Sequence, residues 1–132
     1  MAYAESQPHV SLTAGSTFAT SDLYKFVQLN GSGQVIIGGS TAAVNVVGTL
    51  LGVTATTGGA GSETVTVGLL QGIGKLQLAA STVAAGGTIA ASSAGLGIAP
   101  TTDAIAVGYL VDGSSGAAGR IGSVLFSYIA NA

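Results

Sequence analysis

The stretch GLLQGIGKLQL, from Gly68 to Leu78, carries the residue types of a phosphate-binding loop. It has spaced glycines, a lysine directly after one of them, and apolar runs on both sides. Such a loop aims backbone N–H groups and an ammonium at phosphate oxygens from the start of a helix. The spacing does not fit that chemistry. The pattern G-x-x-x-x-G-K-S/T needs glycine at Leu69 and a hydroxyl residue at Leu76. The dinucleotide pattern needs glycine at Gln77. KLQL alternates like a strand, so the segment reads as a bend between strands, with Gly68, Gly72 and Gly74 admitting a turn or bulge.

Other chemistry is equally short of parts. His9 is the sole histidine, and there is no cysteine and no G-x-S-x-G elbow. A Ser–Lys pair is arithmetically open, but no spacing supports one. Glu5, Asp22, Glu63, Asp103 and Asp112 are scattered, and the last three sit beside turns, where solvation or capping is the usual role. GGAGSETVT (Gly58–Thr66) resembles one calcium-binding nonapeptide, but a lone copy cannot complete a coordination shell. No catalytic residue, metal site or cofactor is expected, and the chain reads as a non-enzyme. Lys25, Lys75 and Arg120 are the only basic residues besides His9, too few and too far apart for a nucleic-acid surface.

The elements that would position such residues are strands. YKFVQL alternates and is followed by NGSG (Asn30–Gly33), whose residues accept the positive φ of a tight hairpin. QVII, VNVVGTLLGVTA, ETVTVGLL, KLQLAA, DAIAVGYLV and RIGSVLFSYIA follow, with glycine turns between them, one at Gly86-Gly87. Val35–Val53 is apolar enough to suggest a membrane span. Gly38, Gly39, Gly48, Gly52 and Asn45 interrupt it and no anchors flank it, so two strands about a glycine turn fit better, and no membrane contact is expected. Helix signal is limited to one short turn in LAASTVAAGG. No fixed-period repeat is visible. The pattern predicts an all-β fold, a single small antiparallel β-barrel or sandwich over residues 23–132. Residues 1–22 are expected as an extended N-terminal arm lying outside the alternating pattern, so removing about the first 21 should leave the β-domain folded.

Charge is the unusual quantity. Only 6% of residues are charged, against about 25% in an ordinary soluble domain. Glycine fills 22 of 132 positions, net charge is −2 and mean hydropathy is +0.66. A surface so poor in charge predicts burial against partner chains.

The order of elements resembles that of the capsid decoration (cement) proteins of tailed bacteriophages. The likeness rests on YKFVQLNGSGQV, LLGVTA with its glycine turn, ETVTVGLLQGIGKLQ, TIAAS, and AIAVGYLVDGSSGAAGRIGSVLF, covering most of Leu23 to Ile129. It implies a structural protein on the outer capsid surface of the virion, made in the host cytoplasm. The implied partner is the major capsid protein, and the implied oligomer a homotrimer at threefold or quasi-threefold positions. Under this reading the arm orders on the shell through Pro8, His9, Val10, Leu12 and Phe18. Lys75 and Arg120 would then pair with carboxylates of a neighbouring subunit or the shell. A phage fibre, tail or S-layer-like module remains open, as does a carbohydrate-binding β-sandwich.

Overall fold

The computed structural model describes residues 7–38, 46–53, 63–80, 83–100, 106–112 and 118–129. The fold is all-β, with ten strands among the described residues. These are β1 His9–Thr13, β2 Phe26–Leu29, β3 Val35–Ile37, β4 Val46–Val53, β5 Thr64–Leu69, β6 Gly72–Leu78, β7 Thr88–Ala91, β8 Gly97–Ile98, β9 Ala106–Asp112 and β10 Arg120–Ile129. A 3-10 turn at Thr20–Asp22 is the only helical element among them. No helix among these residues is long and apolar enough to cross a membrane.

The strands divide along the chain into two units. β1 to β5 form one sheet in the order β1-β5-β4-β2-β3, and β6 to β10 form a closed barrel in the order β10-β6-β8-β7-β9. The ends of the first sheet meet at one parallel bridge, Ala14 to Val35, so it too is rolled. Period-two alternation sends alternate side chains into each roll. Phe18, Val27, Val35, Leu50, Val65 and Val67 fill the first, with Ala14. Leu76, Leu78, Ile89, Leu110, Val124 and Phe126 fill the second, where Phe26 of β2 also inserts. The expected class holds, but with two cores instead of one.

The two units are copies of one plan. Each runs through the same cyclic strand order, with matching antiparallel pairs and one parallel seam: Ala14 to Val35 in the first, Leu78 to Gly97 in the second. The hairpins between β2 and β3 and between β7 and β8 correspond bond by bond. Leu29 faces Val35 as Ala91 faces Gly97. Asn30 N–H donates to Gln34 O at 2.8 Å and Ser92 N–H to Leu96 O at 2.9 Å. The Asn30 and Ser92 side chains accept from the N–H groups of Gln34 and Leu96. Gly33 and Gly95 both take positive φ, 74° and 80°. Register shifts recur too, at Val27/Gln28 and at Ile89/Ala90. The sequence shows no fixed-period repeat, yet the fold is an internal duplication. Connections of unequal length hide the period.

The arm is also integral. Residues 9–13 pair with β5 over their whole length, and Ala14 and Phe18 are core residues. The expected break after residue 22 therefore does not separate a free arm from a domain, and Phe18, 1% exposed, has no surface to offer a shell. Its aromatic ring completes the apolar lining of the first roll.

Candidate functional site

The phosphate-loop residues are placed by strands on both sides of a tight corner. Gly68 and Leu69 end β5, and Gly72 to Leu78 are β6, paired residue by residue with β10. Backbone groups committed to a ladder cannot cradle a phosphate. The glycines instead make room for a side chain. A Cβ on Gly68 would lie 2.7 Å from the Gln7 amide, and one on Gly74 would lie 2.5 Å from Gln7 Oε1 and 2.6 Å from the Phe126 ring. Together they form the slot that receives Gln7. That residue compensates for its neighbouring proline. Leu69 N–H donates to Pro8 O at 2.8 Å, but Pro8 has no N–H to return. Gln7 Nε2 donates to Leu69 O instead, at 3.0 Å.

A second contact joins the two halves. Tyr24–Phe26 lies in a cleft between β6 and the β7–β8 hairpin. Gln77 N–H donates to Tyr24 O at 2.8 Å, and Phe26 N–H to Gly95 O at 2.7 Å. The Gln77 amide adds bonds to Ser21 O and Leu23 O, at 2.8 and 2.7 Å. The Phe26 ring meets Phe126 edge to face, centroids 6.4 Å apart. Tyr24 takes a positive φ of 68°, costly for a bulky residue. Its position in the duplicated plan explains the conformation, because its counterpart is Gly86, with φ 85°.

The other residues singled out from sequence are dispersed. Pro8 and Leu12 are half-buried, whereas His9 and Val10 are exposed on β1, the edge of the first sheet. Lys75 Nζ sits 5.5 Å from the Tyr24 ring centroid, a cation–π contact inside the chain. Arg120 opens β10 opposite Leu78 and is itself engaged in an interaction. Lys25 pairs with Asp22 at 2.9 Å. Burial opposes the Asp22 charge, but the Ala19 N–H and Lys25 outweigh it and hold the carboxyl below the usual range. Lys75 and Ser123 face each other across β6 and β10, but the lysine lies over Tyr24. Among the described residues no group of three acidic or histidine side chains is placed to hold a metal. The nonapeptide-like segment falls largely outside the described residues, whereas in LAASTVAAGG the described residues 78–80 and 83–87 form the end of β6 and a glycine turn and no helix.

Sequence reading missed the surface with most to offer a partner. Tyr109 and Val111 of β9 and Leu125 of β10 are among the most exposed large apolar residues, at 40%, 39% and 42%. Tyr109 faces Leu125 across the ladder, and Ile73 flanks Leu125 on β6. The row therefore lies on one outer face of the barrel. Alternation in GYLVD and VLFS marks every second residue as outward, and outward Tyr, Val and Leu were the available signal. Compared with protein-family models and with curated proteins, the chain has no match.

Proposed function

We propose that this protein is a structural virion component that binds the outside of an expanded phage capsid and stabilises it. The observation that carries this reading is the apolar outer face of Tyr109, Val111 and Leu125 on a chain with just eight charged residues, three basic and five acidic. Apolar rows of this kind mark sites where one protein covers another. In this reading the shell partner is the major capsid protein, and the copies group at threefold or quasi-threefold positions. Many small contacts repeated over a shell sum to large stabilisation by mass action and avidity. Neither turnover nor a cofactor is required.

The shell-facing surface in this reading is the barrel face. The N-terminal residues contribute no Phe18, because that side chain is core. Purified protein mixed with undecorated expanded capsids should co-pellet to saturation. Leu125→Glu, on an exposed site, should fold normally and bind at least about tenfold more weakly, as expected for truncating a central apolar contact. No pelleting at any salt or pH, or equal pelleting by the variant, would overturn the reading.

A further inference from the structure

The two halves follow one plan, yet among the described residues only one of two equivalent clefts is filled. In the C-terminal barrel the cleft between β6 and the β7–β8 hairpin holds Tyr24–Phe26. The N-terminal counterpart lies between β1 and the β2–β3 hairpin, with Thr13 in place of Gln77 and Gly33 in place of Gly95. Leu69 N–H to Pro8 O and Ala14 N–H to Glu63 O fix the even positions of β1 toward β5, so the Thr13 N–H points away from it. A Cβ at Gly95 would meet Phe26 O at 2.9 Å, Ile37 at 3.0 Å and Lys25 at 3.2 Å, all belonging to the inserted segment or its hairpin. At Gly33, with nearly the same φ, that direction meets nothing within 4 Å.

The inserted segment also has an unused counterpart. Gly86–Thr88 corresponds to Tyr24–Phe26, with a positive φ at the first residue of each and matching hydrogen bonds. Gly86 N–H donates to Leu110 O at 2.6 Å and Leu110 N–H to Gly87 O at 2.9 Å. The matching bonds are Tyr24 N–H to Leu50 O at 2.7 Å and Leu50 N–H to Lys25 O at 2.9 Å. Gly86 O and Thr88 N–H are thus aimed as Tyr24 O and Phe26 N–H are, and 84–86 are exposed. Among the described residues, one insert and one cleft cut to the same pattern are left without a counterpart.

We propose that residues Gly86–Thr88 of one copy enter the β1/β2–β3 cleft of the next. Thr13 N–H donates to Gly86 O, and Thr88 N–H donates to Gly33 O. The occupant is a second copy of this chain because the barrel–barrel joint inside each molecule already uses this geometry. The two surfaces differ, so the contact is head-to-tail and either closes into a ring or continues as a filament. Gly, Gly and Thr fill the cleft less than Tyr, Lys and Phe do, so the joint between copies is weaker than the one within a chain and depends on concentration. The inference stands apart from the shell reading, since it requires no capsid.

Two variants test it. Gly33→Asn keeps a residue tolerant of positive φ and points its side chain into the cleft, where the fold leaves open space. Thr88→Pro removes the donating N–H at the first residue of a strand, a position that accepts proline. By sedimentation, wild-type protein should rise above the 12.6 kDa monomer with concentration. Each variant alone, with an unchanged circular dichroism spectrum, should stay monomeric to at least about tenfold higher concentration, the loss expected when a 1.4 kcal/mol or larger contribution goes. An equimolar mixture should stop at a heterodimer, because each variant retains the half that the other lost. A wild-type chain that stays monomeric throughout, variants that assemble normally, or monomeric variants whose mixture forms no heterodimer would each overturn the proposal.

Discussion

Gly48→Ala is expected to unfold the N-terminal half. Gly48 lies on β4 where it crosses between β2 and β5, facing Val27 on one side and Leu69 on the other. A methyl there would overlap the carbonyl oxygen of Gly68, with the Val67 side chain also within 2.9 Å. The obstacle is backbone within a sheet, so no rotamer change can relieve it. The expected cost exceeds ~3 kcal/mol, the upper range for overpacking, out of a total of about 5–15 kcal/mol for a typical domain. Gly108→Ala repeats the experiment in the other copy, where the Cβ would lie 2.5 Å from Leu125 O. Urea unfolding of both variants measures the effect. A midpoint equal to wild type for Gly48→Ala would mean that β4 and β5 lie farther apart than the register places them.

Removing residues 1–21 should also unfold the first roll, the opposite of what the sequence pattern alone suggests. The truncation takes away β1, which pairs with β5, together with Ala14 and Phe18, both buried in the first core. It also removes the Gln7 amide that serves Leu69 O. Phe18→Ala isolates the core part of this loss and should cost about 3–5 kcal/mol, the range for deleting a buried aromatic ring. The truncated chain should lose near-ultraviolet ellipticity and cooperative melting. A truncated protein that melts like the full chain would show that β1 is dispensable and that Phe18 is not core.

Most strands were legible because their alternation is local. ETVTVGLL became β5, DAIAVGYLV covers β9 up to its last residue and RIGSVLFSYIA contains β10, while NGSG is the hairpin between β2 and β3. β1 was not legible as a core strand: His9, Val10, Ser11 and Thr13 are exposed, because an edge strand shows water most of its surface. β8, only Gly97–Ile98, is too short for any pattern to register.

The duplication is illegible in the sequence for a different reason. VVGTLLG from Val46 and AVGYLVD from Ala106 align without a gap, and Gly48 and Gly108 are both demanded by close backbone approach. Leu50 with Leu110 and Val67 with Val124 occupy matching core positions, all fully buried. Apart from these and the hairpin glycines Gly33 and Gly95, it is mainly the pattern of inward and outward positions that persists, and small apolar residues satisfy it interchangeably. The candidate interaction surface shares that opacity, since whether an outward Tyr109 or Leu125 has neighbours of its kind depends on pairing across strands that sequence does not specify.

Two copies of one unit share a cleft that, among the described residues, is filled in one and open in the other. Amide hydrogen exchange at Gln77 and Thr13, read by NMR on Gly33→Asn, distinguishes the filled cleft from the open one. Gln77 N–H, bonded to Tyr24 O, should exchange orders of magnitude more slowly than the unprotected rate, whereas Thr13 N–H should exchange near that rate. In concentrated wild-type protein the Thr13 amide should become protected as well. Equal protection of both amides in Gly33→Asn, or rapid exchange at Gln77, would show that the two clefts do not differ in this way.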